Sequence, residues 1–436
     1  MTGRTALPSG TIDERAVGEV LAVARRLGRD PAELLAGAEL RFTHALTSLQ
    51  EAREVVSRAD ARTRTRRGQT FPSAFDGTRP RVIQGIYDRC DAYVFADGPF
   101  PEHDAALVAR RFPLPLEIVL AVSKVVPAGE ELELSARPAA WRFPGPPQLP
   151  VLAMFGTLVL EPGARVVARG TTLSLFCGRL VHLGEPGGPD DVDIGLLHAP
   201  GAGDARGGPP DGVPGRAGEP GTAGTAGRSA PVESSILGPL TLCPPSPGEM
   251  VGRAGLPGGP GGRGRRGGQG APTRSAEITL RAVVGGPIVV FAQPGHGGDG
   301  GPGGAGGRGG AGGAGGAGCR SLAGPVPGGA GGPGGPGGAG GPGGRGGDGG
   351  IASPVYITCP PDQEHRLRRV AVPAEAGHGG SGGPGGIGGR GGRGGSGPTP
   401  ELAGRAGPYA APGLGGRDGS AGRPGPAPPI FLNERL

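Results

Sequence analysis

Glycine holds a strict three-residue register through much of the second half of this chain, and that register limits what it can fold into. Between residues 295 and 318 the positions that are not glycine are His296, Asp299, Pro302, Ala305, Arg308, Ala311, Ala314 and Ala317. The same Gly-Gly-X pattern returns at 328–350 (Ala330, Pro333, Pro336, Ala339, Pro342, Arg345, Asp348) and at 377–397 (His378, Ser381, Pro384, Ile387, Arg390, Arg393, Ser396). A further run, 255–270, keeps mostly to it, with Arg265 intruding. The two outer runs, 212–227 and 404–425, are Gly-X-Y, the latter with one break at Ala410. The composition of 98 Gly and 51 Pro in 436 residues would also fit low-complexity disorder, but a disordered spacer has no use for a register.

A polyproline-II helix turns once in three residues and makes no internal hydrogen bonds, so each triplet position lines one long face. In Gly-Gly-X two of those faces are bare. Added glycine raises the entropy lost on folding, against a background of about 1–2 kcal/mol per ordered residue. The register makes physical sense if both bare faces touch neighbouring segments and their N–H and C=O groups pair across the contact. The expectation is an antiparallel bundle of about six glycine-rich polyproline-II helices with short β connectors. Its interior glycines are Gly303, Gly304, Gly312, Gly313, Gly334, Gly335, Gly385 and Gly386, and the two Gly-X-Y runs form its edges. The link 319–327 is short, which predicts antiparallel third and fourth runs, with the third and fifth pointing the same way. Connectors at 230–245, 273–294 and 351–373 carry Ile236, Leu237, Ile278, Leu280, Val283, Val284, Ile288, Val289, Val290, Val355, Ile357 and Val370, which supply ordinary apolar burial.

On these residues, 212–426 resembles the polyglycine-II bundle proteins, among them snow flea antifreeze protein and some phage tail-fibre tip adhesins. The resemblance implies a rigid platform with function on its outer face or in its loops. Arginines at X positions (Arg308, Arg345, Arg390, Arg393) depart from the flat, small-residue face of the antifreeze type.

The rest of the chain reads differently. Residues 1–67 read as helical. A capping box at Thr11 and Glu14 opens a helix with Ala16, Val17, Val20, Leu21, Ala24 and Leu27 on one face, and Gly28 ends it. Asp30-Pro31 restarts a second, long helix that carries Leu34, Leu35, Ala38, Phe42, Ala45, Leu46, Leu49, Ala52, Val55 and Val56. Such a stripe, if continuous to about residue 60, needs another chain or domain to cover it. Residues 68–200 read as a β-rich domain, a sandwich or a short solenoid. The expected strands are Arg81–Ile86, Ala92–Phe95, Leu116–Val126, Glu131–Ala136, Met154–Leu160, Arg165–Ala168, Leu173–Phe176, Leu180–Leu183 and Val192–Leu197. The three units are thus 1–67, 68–200 and 201–436, and the fold class is mixed.

Chemistry-bearing signals are sparse. There is no P-loop, no Gly-x-Ser-x-Gly, no His-Glu-x-x-His and no EF-hand, so no catalytic residue, cofactor or metal is assigned. Cys90, Cys177, Cys243, Cys319 and Cys359 are scattered, and none forms Cys-x-x-Cys. His296 and His378 open equivalent stretches, Gly295–Pro302 and Gly377–Pro384, and with Asp299 are candidate metal or anion ligands. Asp190, Asp191 and Asp193 form an acidic cluster. Leu242-Cys243-Pro244-Pro245 resembles Thr358-Cys359-Pro360-Pro361. The arginine runs at Arg64, Arg66, Arg67 and at Arg263, Arg265, Arg266 could meet phosphates, but the glycine runs lack the interleaved aromatics of nucleic-acid-binding Arg-Gly boxes. No 18-residue apolar stretch exists, so no membrane span is expected, and no secretory signal peptide opens the chain. That leaves a cytoplasmic location, or an extracellular or surface one reached by a non-classical route. The functional expectation is a non-enzymatic structural protein that self-assembles into a fibre, filament or surface layer. An adhesin-like binding module that displays loops on a rigid bundle is the alternative.

Overall fold

The structure is a computed structural model, and it describes residues 13–75, 94–96, 112–135, 150–184, 192–199, 209–236 and 238–436; side chains of 69–75 are not described. The expected strand Arg81–Ile86, most of Ala92–Phe95, and Cys90, Asp190, Asp191 and Thr11 lie outside these residues; Val94 and Phe95 themselves sit in a helical turn.

The N-terminal part begins with α1 (Glu14–Arg26), capped by Asp13, whose Oδ1 accepts from the N–H groups of Arg15 and Ala16. Asp30 caps α2 (Pro31–Leu35) with proline in its first turn. The expected long second helix is broken at Gly37, which sits at φ +89 and turns the chain. The chain then runs as a strand, β1 (Leu40–Leu46), before α3 (Leu49–Val56) and α4 (Ala61–Phe75). Ala52, Val55 and Val56 are buried, at 0, 4 and 1 % exposure. Leu34, Leu46, Ala52, Val55 and Val56 of the stripe read as uncovered are therefore covered within the chain, while Leu35, Ala38 and Ala45 stay exposed.

Two sheets form the body. The larger orders its strands β1, β2 (Leu114–Val126), β4 (Pro150–Leu160), β6 (Thr172–His182), β10 (Ala276–Leu280), β15 (Val355–Thr358) and β17 (Ile430–Leu432), with β11 (Val283–Gly285) also beside β6. The smaller orders β16 (Leu367–Ala371), β12 (Ile288–Gln293), β7 (Ile194–Leu197), β5 (Arg165–Arg169) and β3 (Glu131–Glu133). Every pairing in both is parallel except β1 on β2. From β2 to β17 the chain passes back and forth between the sheets and adds a strand to each in turn. Val119, Val151, Phe155, Leu175, Val166, Leu196, Val290 and Ile357 fill the space between them. The other face of the larger sheet presents Leu116, Ile118, Leu152, Met154 and Phe176 to Val20, Ala24, Leu34 and Val55 of the helices.

The glycine runs are three long excursions from this body. The first run leaves after β7 and the second returns into β10. The third leaves after β12 and the fourth returns into β15. The fifth leaves after β16 and the sixth returns into β17. Bonds such as Gly304 N–H to Gly262 C=O, and Gly332 N–H to Gly313 C=O (each 2.8 Å), tie neighbouring runs antiparallel. Outgoing runs lie parallel to one another, as in Gly221 N–H to Arg308 C=O (2.7 Å) and Gly303 N–H to Ser381 C=O (2.8 Å). Returning runs do likewise, as in Gly258 N–H to Pro336 C=O (2.9 Å) and Gly340 N–H to Leu414 C=O (2.8 Å). The result is two stacked layers, outgoing and returning.

This corrects the expected fold class. The N-terminal helix and the β-rich middle are present, but the glycine runs carry neither helix nor strand, so no C-terminal bundle of polyproline-II helices is found among the described residues. Their N–H groups donate from run to run, to the carbonyls of neighbouring runs. The stretches taken for short β connectors supply β10, β12, β15, β16 and β17 to the two large sheets, in parallel register with strands that precede the runs. The architecture is a mixed α/β one built on parallel sheets.

Candidate functional site

The eight glycines singled out in the sequence lie between runs. A methyl on Gly303 would stand 1.9 Å from the Gly341 carbonyl oxygen, on Gly304 1.9 Å from that of Arg216, on Gly312 2.0 Å from Gly332 and on Gly313 1.9 Å from Thr225. On Gly334 it would meet Gly389 at 2.1 Å, on Gly335 Leu256 at 2.1 Å, on Gly385 Gly413 at 1.9 Å and on Gly386 Gly307 at 2.0 Å. In each case the obstacle is backbone held by its own hydrogen bonds, which cannot turn aside as a side chain could. These glycines let the runs approach; they carry no chemistry.

The histidine motifs end in structural bonds. His296 Nδ1 accepts from the Glu375 N–H at 2.9 Å, and the Asp299 carboxylate accepts from the His378 N–H at 2.6 Å. Asp193 is buried, pairs with His182 at 3.2 Å and accepts from the Val289 N–H at 2.7 Å. No group of three or more His, Cys, Asp or Glu with metal-holding geometry occurs among the described residues. Cys243 and Cys359, in similar sequence contexts, sit at opposite ends of the excursions: Cys243 just after the first run and Cys359 just after β15. Burial pushes the Cys177 thiol up to about 12, whereas Cys243 is exposed. A thiol reagent is therefore expected to label Cys243 in the native protein and Cys177 only on unfolding, which mass spectrometry of labelled peptides would read.

The most elaborate charged cluster ties the ends of the chain together. Arg67, 2 % exposed, reaches Glu277 of β10 at 2.7 Å and Glu434 at 2.7 Å, and its guanidinium lies 3.9 Å from the Tyr356 ring centre. Burial alone would lower its pKa; the hydrogen bonds to Glu434 and Glu277 outweigh that and hold it above the ordinary value. Glu277 also accepts from the Arg58 N–H at 2.6 Å. A cleft of about 390 Å³ opens beside this cluster, lined by Asp60, Thr63, Thr279, Thr358 and Asn433 among others. Its central charged groups are already paired with one another, so it reads as a latch.

Nearby, hydrogen bonds from the Thr47 hydroxyl and N–H hold the Glu51 carboxyl at about 2 against burial, and His44 adds to the effect. A depressed carboxyl contributes stability above its ordinary value near 4.5, and that contribution is lost as pH falls towards 2. Glu51→Gln is expected to flatten the acid limb of a stability–pH curve over that interval.

Sequence reading missed the far end of the excursions. Ser235-Ile236-Leu237-Gly238-Pro239-Leu240 and Ser321-Leu322-Ala323-Gly324-Pro325-Val326 are versions of one motif, and that repeat was available as a signal. Each makes a tight hairpin. The first is β8 (Glu233–Ser235) with β9 (Gly238–Leu240); the second is β13 (Arg320–Ser321) with β14 (Gly324–Pro325). In each the serine hydroxyl donates to the glycine carbonyl, at 2.9 and 2.7 Å, and the glycine takes φ of +91 or +122. Such turns ordinarily carry Gly, Asn or Asp at the apex. Here Ile236 (103 % exposed) and Leu322 (73 %) occupy it, with Val232 and Leu242 also exposed. The Thr241 N–H to Arg320 C=O bond, 2.9 Å, joins the two hairpins. No family model, curated protein or solved structure matches the chain.

Proposed function

We propose that this chain is a non-enzymatic binding module whose glycine excursions hold an apolar tip away from the two-sheet body. The observation that carries the reading is the duplicated Ser-x-x-Gly-Pro hairpin. Its turn is satisfied internally, and the aliphatic side chain at its apex stays largely exposed among the described residues. Aliphatic residues at two rigid apices serve no folding purpose, so a partner surface is the better account of them. Of the three supports for self-assembly, which are an uncovered helical stripe, a stiff glycine-rich half and the absence of catalytic motifs, the first is weakened, because Ala52, Val55 and Val56 are covered. The last strand of the larger sheet is also guarded, because the Arg369 side chain donates to the Ile430 carbonyl at 2.9 Å.

Burial of two aliphatic side chains is worth about 1.5–3 kcal/mol each, and every 1.4 kcal/mol or so is tenfold in affinity. Ile236→Asp/Leu322→Asp should therefore adsorb to an alkyl-coated sensor at least about a hundredfold more weakly than wild type, with an unchanged melting temperature. Equal adsorption of the two proteins would count against the tip. Filaments or sheets in negative-stain images of both proteins would favour a structural subunit instead.

A further inference from the structure

The geometry points to a second binding surface, for an acidic polysaccharide, on the outer face of the returning layer where it approaches the sheets. Here Gly264 N–H bonds Pro342 C=O, Gly267 N–H bonds Arg345 C=O and Gly343 N–H bonds Arg417 C=O, which brings the second, fourth and sixth runs into register. That register gathers Arg263, Arg266, Arg345, Arg417 and Arg423 on one face. Asp348 organises the group. Its carboxylate accepts from Arg266 at 2.7 Å, from Arg345 at 2.8 Å and from the Arg423 N–H at 2.9 Å. Each guanidinium spends one bond on the aspartate, and the side chains remain 44 and 36 % exposed, so most of their donors face solvent. Asp418, the other acid here, accepts from the Gly382 N–H at 2.7 Å. Five arginines thus stand against two aspartates that are already engaged. Among the described residues Arg263 makes no ion pair.

The shape selects among polyanions. Cations on one run are spaced by multiples of three residues, about 10 Å of extended chain, and the neighbouring runs repeat them in step. Pro336, Ala339 and Pro342 continue the same face as a low, flat track. An extended acidic polysaccharide, with a charge on every one or two sugars, matches a flat face of spaced arginines. Single-stranded nucleic acid needs rows of aromatic platforms, which the face lacks. A duplex is a cylinder that would touch it only along a line.

The test uses the full chain and immobilised dextran sulfate, with uncharged dextran and duplex DNA as comparators. Wild type should bind dextran sulfate and not dextran, with about a tenfold or greater loss between roughly 50 and 200 mM salt as the release of counterions becomes less favourable. Arg263→Ala/Arg266→Ala/Arg345→Ala should lose at least tenfold, while Arg308→Ala/Arg390→Ala on the opposite face should stay within twofold. Should the triple variant melt early, Arg263→Ala alone, which disturbs no ion pair, should still weaken binding two- to threefold. Equal losses from the two faces, binding without salt dependence, or duplex DNA bound as tightly as dextran sulfate would each overturn the proposal.

Discussion

Gly313→Val is expected to unfold the protein or to lower its stability by at least about 4 kcal/mol, among the largest effects a single substitution produces. The Cβ would stand 1.9 Å from the Thr225 carbonyl oxygen and 2.5 Å from its carbon. Gly313 also donates to Arg253 and accepts from Gly332, both at 2.8 Å. Making room therefore separates three runs at once, and each broken bond leaves a buried group unsatisfied at about 1–3 kcal/mol. Gly335→Val should behave the same way, because its Cβ would meet the Leu256 carbonyl at 2.1 Å. Ala311→Val, two residues from Gly313 but exposed, should change stability by no more than about 0.5 kcal/mol. Chemical denaturation of the three variants decides the matter: unchanged midpoints for both glycine variants would mean that the runs do not touch.

The second large effect is expected at Arg67. Arg67→Ala leaves Glu277, 1 % exposed, charged and without its partner, at a cost of about 3–5 kcal/mol. Arg67→Met/Glu277→Met removes both buried charges and should recover part of that loss, because well-packed apolar replacements of a buried pair are often neutral, while Glu434 and the Arg58 N–H each lose a partner. The single variant should also loosen α4, which hydrogen exchange would report as faster exchange in 61–75 than in the sheets. A double variant as unstable as Arg67→Ala would show that the side chain acts through its own contacts, such as that with Tyr356, and not through the buried charge.

What the sequence revealed and what it hid have separate physical causes. The three-residue register was legible because it is local: each glycine excludes a side chain from a face, and the pattern repeats often enough to be read. The connector strands were legible as apolar, but not as members of the same sheets as residues 150–182. The partner of Ile278 is Leu175 on one side and Ile357 on the other, and nothing in a local window announces either. Parallel strands buried on both faces carry little signal at their ends, so the expected strands stop short of the real ones: Met154–Leu160 for β4, and Leu173–Phe176 with Leu180–Leu183 for the single strand β6. Leu40–Leu46 was taken into a helix because its apolar residues fit a helical stripe, although Gly37 was there to end it. The Arg67 latch joins residues 210 and 367 positions apart and left no trace in spacing. The hairpin apices were legible as a repeat, yet a reading that seeks apolar residues for a core passes over aliphatics placed outside one.

The stepwise pairing of the six runs also governs how such a chain can change over generations. Gly255 bonds Pro333 and Gly258 bonds Pro336, while Gly334 bonds Pro408 and Gly337 bonds Ala411, so each triplet answers to a triplet in the next returning run. One triplet inserted into a single run would put every later bond of that run out of step. Inserted into both arms of one excursion, it would push that tip past its neighbours and leave its new bonds without partners on either side. Length can be gained or lost smoothly only by matched insertions or deletions in all three excursions. Relatives of this chain should therefore differ in reach by whole triplets shared across the six runs, and a lone indel should be tolerated only at the tip turns.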